Sequence, residues 1–240
     1  MAAPFGHDDL PPALPEDLVP LAGPVPPSPW RLHGSALVIM GHLRRRDARA
    51  LAQHTQNPRG LMAAPLVGSL ASLALVRYNA TPVGPYHELA ISPGVLWHAI
   101  PAAFISDMLV DSVPSWLGGR SLWGLPKALA DFTWTANSQT QTVAVAAGSS
   151  GELLLRAEFR LRGSLPGIIV PPIPVISVRG PRHQLFNISG RVGRIHRATV
   201  TLDIPATSTF SALGQLVRGP HLALWLDGFH LRISTALDLL

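Results

Sequence analysis

The chain has 240 residues, 47% of them apolar and only 14% charged, with a net charge of +5 and no cysteine. That length and apolar content supply a substantial core and exclude a disordered chain. The missing cysteines exclude a disulfide framework, a thiolate nucleophile and a cysteine-based metal site.

Residues 1–29 are proline-rich and carry Asp8, Asp9, Glu16 and Asp17. They lack the basic start and continuous apolar run of a secretory leader, and they read as an arm that packs over the domain or a neighbouring subunit. Residues 30–240 read as one domain. Pro29 to Gly34 forms an anchoring turn that leads into a strand over Ser35 to Met40, and Arg44 to Thr55 is weakly helical until Asn57-Pro58-Arg59-Gly60 breaks it. The most apolar window, Leu61 to Val76, contains Pro65 and Gly68 and stops at Arg77, short of the roughly 18 uncharged residues of a membrane span. No membrane is expected as a partner, and a cytoplasmic location is.

Leu66 to Tyr78 and Tyr86 to Ser92 are apolar runs joined by a turn-rich connection, which predicts a hairpin. Val95 to Ile105 and Met108 to Val113 continue the strand series. Pro114 to Leu122 predicts a short helix, and Pro126 suits the first turn of a second one, with Lys127 near its positive end. Phe132 to Ala136, Thr140 to Ala146 and Glu152 to Arg162 alternate as strands, the last with Arg156, Glu158, Arg160 and Arg162 on one face. Prolines 171, 172 and 174 make Ile168 to Val178 edge-like or irregular. Arg191 to Ile204 alternates again, Thr209 to Val217 predicts a short helix, and Asp227-Gly228 between apolar runs predicts a hairpin within His221 to Leu239. The 24 prolines and 21 glycines punctuate short apolar runs throughout. Many short strands are the expectation.

Lys127 is the only lysine, and the other 18 basic residues are arginines. Arginine stays protonated at any accessible pH, whereas a lysine can lose its proton and attack a carbonyl. Leu122, Trp123, Leu125, Pro126, Ala128 and Leu129 surround this one, and such surroundings, by withholding water, favour the neutral amine. Glutamate is nearly as rare. Glu16 lies in the arm, and Glu152 and Glu158 lie on an arginine-studded strand, which leaves Glu88 as a candidate acid, base or electrostatic partner for a buried amine.

Ten histidines show no metal-binding spacing, and His87 should face away from Glu88. Ser189-Gly190-Arg191-Val192-Gly193 lacks the strand and helix context of a dinucleotide site. The basic residues are dispersed apart from Arg44 to Arg49, with no interleaved aromatics, so nucleic acid is not an expected partner. Trp30, Trp97, Trp116, Trp123, Trp134 and Trp225 read as packing residues. Trp116 and Trp123 flank the lysine segment and are candidate pocket walls.

Gly118-Gly119-Arg120-Ser121-Leu122-Trp123-Gly124-Leu125-Pro126-Lys127, preceded by Gly84-Pro85-Tyr86-His87-Glu88, resembles the acetoacetate decarboxylase superfamily. The resemblance covers Trp30 to the C-terminus. It implies a mainly antiparallel β fold curled into a closed cone-like barrel with a few short flanking helices, assembled as a homo-oligomer. It also implies a lyase with Lys127 as the imine-forming amine and Glu88 as its acidic partner, acting on a keto acid or other carbonyl substrate; Tyr86, Arg120, Trp123, Trp116 and Arg31 are the candidate substrate-binding residues, and no metal or cofactor is expected. The sequence departs from the family where a second lysine would follow Lys127 (Ala128), at Ser121, where glutamate is frequent, and in Leu66 to Tyr78, which holds no carboxylate. Those departures leave decarboxylation, aldol cleavage, dehydration and cyclisation open. The alternative is a non-catalytic barrel that binds an apolar carbonyl or lipid-like ligand.

Overall fold

The computed structural model describes residues 23–44, 47–48, 70–93, 95–97, 100–137, 140–148, 150–179 and 182–239. The arm up to residue 22 and the expected helix from residue 49 on lie outside the described residues.

Among the described residues, twelve strands form one sheet: β1 (Trp30–His42), β2 (Leu70–Ala80), β3 (Tyr86–Ser92), β4 (Val95–Trp97), β5 (Ile100–Phe104), β6 (Asp107–Val110), β7 (Lys127–Ala136), β8 (Gln141–Ala147), β9 (Leu153–Arg179), β10 (Arg182–Asp203), β11 (His221–Ile233) and β12 (Leu237–Leu239). Helix α1 (Val113–Trp123) joins β6 to β7, and a 3₁₀ helix (Ser211–Val217) stands where the short C-terminal helix is expected. The order β10-β11-β1-β2-β3-β6-β7-β8-β9 returns to β10 through the β9–β10 pairing. That closes a ring of nine strands and leaves β4, β5 and β12 outside it.

The period-two alternation of side chains divides the apolar residues between two cores. One takes Leu37, Leu73, Leu89, Leu109, Ala130, Val143, Leu155, Val200 and Trp225, one from every ring strand, so it fills the ring. The other takes Trp30, Val76, Tyr86, Val110, Phe186 and Phe229, with Trp116 and Trp123 from α1, and lies on the opposite face of the same strands.

Two local expectations need correction. Lys127 opens a strand and not a helix. Strands β6 and β7 are parallel, with Met108 opposite Lys127, so a crossover has to separate them, and α1 is that crossover. Ser112 accepts from the Ser115 N–H to start α1. Gly124, left-handed at φ 59°, ends it, with Leu125 N–H donating to Gly119 O. The chain then has two residues in which to re-enter the sheet.

Asp227-Gly228 is not a hairpin turn, since β11 runs straight through it. Gly34 pairs with Phe229 and Ala36 with Leu226, so two residues of β11 face one of β1. This is a β-bulge with its glycine at φ 59°. Ile168 to Val178 belongs to the long strand β9. Pro166, Pro171, Pro172 and Pro174 fall where β9 pairs with β10 alone, between the stretches paired to β8 and β5. A missing N–H costs little on an edge.

Gly228→Ala should lower unfolding stability by about 1 kcal/mol, the cost of holding a side-chain-bearing residue left-handed. Gly214→Ala, where an added methyl meets nothing, should stay within about 0.5 kcal/mol of the parent. Denaturant unfolding of both variants checks the bulge.

Candidate active site

Strand β3 pairs with β2 on one side and β6 on the other, and the β2–β3 hairpin sets Tyr78 opposite Tyr86. On β3, Leu89 and Ile91 point into the ring core, so Tyr86 and Glu88 point into the second one. On β7, Ala128 packs against the ring core and Lys127 takes the face of Leu129. Two strands that are not neighbours thus aim an amine and a carboxylate at the same space beneath α1.

They meet. Lys127 Nζ donates to Glu88 Oε2 at 2.8 Å and to Ser115 Oγ at 2.9 Å. Tyr78 OH donates to Glu88 Oε1 at 3.0 Å, and the Lys127 amine stands 5.2 Å above the Tyr86 ring. Lys127 is 3% exposed and Glu88 5%, while Ser115 is wholly buried. An ion pair this deep keeps its geometry only if further hydrogen bonds satisfy both ends, and Ser115 and Tyr78 supply them. The tyrosine rings lie 4.5 Å apart. Burial, and then the Glu88 charge, hold both phenols well above their usual value, so both stay protonated donors.

Helix α1 approaches through its glycine pair. A methyl at Gly118 would overlap the Trp30 indole, and one at Gly119 would lie 2.5 Å from Cδ and Cε of Lys127. The two glycines lower helix propensity, but they let α1 sit directly on the lysine stem. Arg120 Nη1 donates to the Lys127 carbonyl at 2.9 Å, with its guanidinium 5.4 Å over the Trp116 ring. Partial burial lowers its pKa from the ordinary arginine value.

Lys127, Glu88 and Tyr86 therefore come together as a cluster. Arg120 and Trp116 stand at its helix side. Trp123 is buried behind it, edge-on to Trp30 at 5.0 Å, its indole N–H donating to Ser234 O at 2.7 Å. Arg31 is not brought in. Trp30 and Leu32 point into the second core, so Arg31 faces the other way and is exposed. His87, next to Glu88, likewise faces away and pairs with Asp111 at 2.6 Å. Ser121 donates back to Leu117 O at 2.8 Å within α1.

Sequence reasoning missed Ser115 and Tyr78. Ser115 carries no signal beyond its place in the first turn of α1. Tyr78 carries one, because the chain has only two tyrosines and the hairpin register puts them opposite each other.

The family model "Acetoacetate decarboxylase (ADC)" matches residues 58–169, a span that holds Tyr78, Tyr86, Glu88, Ser115 and Lys127. Over that stretch, just under half of the chain, it is similar to the acetoacetate decarboxylase family.

Among solved structures, it is similar to acetoacetate decarboxylase from Legionella pneumophila, with 16% identity, a TM-score of 0.68 and 98% of each chain covered. It is also similar to the enduracididine biosynthesis enzyme MppR, with 16% identity, a TM-score of 0.69 and coverage of 100% of this chain and 98% of that one. At such identities the likeness is one of fold. Among curated sequences, Protein NEOXANTHIN-DEFICIENT 1 of Oryza sativa subsp. japonica is 31% identical over 109 residues, 45% of this chain and 34% of that protein. The matched stretch thus spans about a third of that relative's length. The counterpart in Solanum lycopersicum is 30% identical over 107 residues, 44% of this chain and 35% of that protein.

Two outcomes check the site geometry. Gly118→Ala and Gly119→Ala should each cost about 1–3 kcal/mol in unfolding stability, since in one a packed indole and in the other a buried lysine stem held by two hydrogen bonds has to move. Tyrosine ionisation gives the second. Phenol pKa values raised in the folded state favour folding below about pH 10, the unfolded value, and that contribution is lost as pH rises towards the folded values. Phenolate absorbance should therefore stay flat through about pH 10 in folded protein and appear only with unfolding or at higher pH.

Proposed function

We propose that this protein is an imine-forming enzyme in which Lys127 adds to the carbonyl of a keto acid or other small carbonyl substrate. The observation that carries the reading is the Lys127–Glu88 contact of 2.8 Å inside the second core. A surface lysine would supply a solvated charge. This one is fixed, dry and within proton-transfer distance of a carboxylate.

Attack needs the free amine, and Glu88 is placed to accept its proton, leaving a carboxylic acid that Tyr78 still hydrogen-bonds. Nζ then bonds to the carbonyl carbon, the former carbonyl oxygen leaves as water with Glu88 returning a proton, and a protonated imine results. Its nitrogen draws in the electron pair of an adjacent breaking bond. For a β-keto acid that bond is to the carboxylate and carbon dioxide departs; for an aldol substrate the bond is to the carbinol carbon and an aldehyde departs. Protonation of the enamine and hydrolysis of the imine free Lys127.

Ser115, bonded to the amine at 2.9 Å, holds Nζ in place during attack. Gly119 keeps the space that the stem occupies. The pyruvate-bound structure of MppR, and its complex with the condensation product of pyruvate and imidazole 4-carboxaldehyde, support carbonyl chemistry on this fold, including carbon–carbon bond formation. Ala128 packs towards the ring core, so the residue after Lys127 does not adjoin the amine here. Glu88 and the two phenols supply the polar groups around it.

Borohydride reduction in the presence of a panel of keto acids and aldehydes should add substrate mass to Lys127. Lys127→Arg keeps the charge and removes the nucleophile, and it should abolish the adduct while the fold remains. Glu88→Gln should slow turnover by about 10²–10⁴-fold, the usual size of a lost acid–base group. Unmodified protein across the whole panel sinks the reading.

A further inference from the structure

The neighbouring strands β1, β11 and β10 carry two rows of basic side chains that the site beneath α1 does not use. In the first, Arg31 lies opposite Arg232, which lies opposite Ser189. In the second, two residues along, His33 lies opposite His230, which lies opposite Arg191. The intervening Trp30, Leu32, Phe229, Val192 and Ile233 are buried in the second core, so these five side chains project from the other face. Arg31, Arg191, His230 and Arg232 are exposed and His33 is half-buried. The two imidazoles are 4.2 Å apart between ring centroids.

Neither row contains a carboxylate. Continued onto the flanking strands, the second row meets Ala80 of β2 and Ile169 of β9. The acid nearest in register is Asp227, beyond the second row on β11, which lies opposite Arg194 and accepts a hydrogen bond from Ser35 Oγ at 3.0 Å. Like charges directly opposite in a sheet destabilise it. Desolvation, His33 and Arg191 together lower the His230 pKa from its ordinary value. Arginines in facing pairs offer planar forks that match tetrahedral oxyanions, and imidazolium rings add donors between them.

We propose that Arg31, His33, His230, Arg232 and Arg191 form a binding site for a phosphate-type dianion, on the sheet face opposite the Lys127 cluster. It is independent of the imine reading. The dianion has two sources, a phosphorylated small molecule or the head group of a phospholipid surface. Desolvation and cross-strand repulsion hold the His230 pKa below its ordinary value; binding relieves the repulsion, so the protonated His230 favours the dianion and affinity rises as pH falls.

The test is titration calorimetry of the full chain with inorganic sulfate, a tetrahedral dianion whose own charge does not change near neutrality, at constant ionic strength set by chloride. The expected result is saturable binding, about tenfold tighter near pH 6 than near pH 8, with inorganic phosphate competing. Arg232→Gln should weaken it by about tenfold at both pH values, and His33→Asn with His230→Asn should flatten the pH dependence. Co-sedimentation with phosphatidylcholine vesicles containing phosphatidic acid, reversed by sulfate, assigns the lipid source. Sulfate binding without co-sedimentation assigns the small-molecule source. The proposal is overturned by no saturable binding at either pH, by binding that Arg232→Gln leaves unchanged, or by vesicle binding that sulfate does not reverse.

Discussion

The contact between Lys127 and Glu88 is the constraint around which this half of the molecule is arranged. Two opposite charges taken out of water cost several kcal/mol each unless their remaining donors and acceptors are met. Here Ser115 meets the amine and Tyr78 the carboxylate. Each of those residues comes from a different element, so the pair ties β2, β3, β7 and α1 to one point. The phenols stay protonated because they are buried beside an anion. The same burial that endangers the ion pair therefore keeps its hydrogen-bond donors intact.

Helix α1 has two tasks that depend on one another. As the crossover between parallel β6 and β7, it sets where Lys127 enters the sheet. As a lid on the second core, it brings Ser115, Gly119 and Arg120 against that lysine. A helix with side chains at 118 and 119 would stand further off, and the amine would lose its close cover. Local helix stability is given up for a closer approach. Such a departure from propensity is expected where a fold carries chemistry.

The ring core and the second core use opposite faces of the same strands, which explains the chain's low charge content. Strands with apolar side chains on both faces leave few positions for solvated groups, and the charges collect on β9, β10 and the rim of β1 and β11. The cross-strand rows of Arg31, His33, His230, Arg232 and Arg191 stand out against that background, because no carboxylate joins them in register.

Much was legible before any coordinates. The β2–β3 hairpin, the approximate helix before Lys127 and the choice of a lone lysine and an isolated glutamate as candidates all follow from alternation, turn residues and composition, signals carried by neighbours in the chain. Family resemblance pointed to the closed barrel. The misreadings share a cause. Pro126-Lys127 looks like a helix start and Asp227-Gly228 looks like a hairpin, since both motifs serve either role and the partner strand decides between them. The places of Ser115 and Tyr78 beside the ion pair, and the exclusion of Arg31, were decided by tertiary structure alone, because facing depends on register and bulges that short-range patterns do not encode. Residue types specified which groups were available for chemistry, and strand pairing determined which of them share a hydrogen bond.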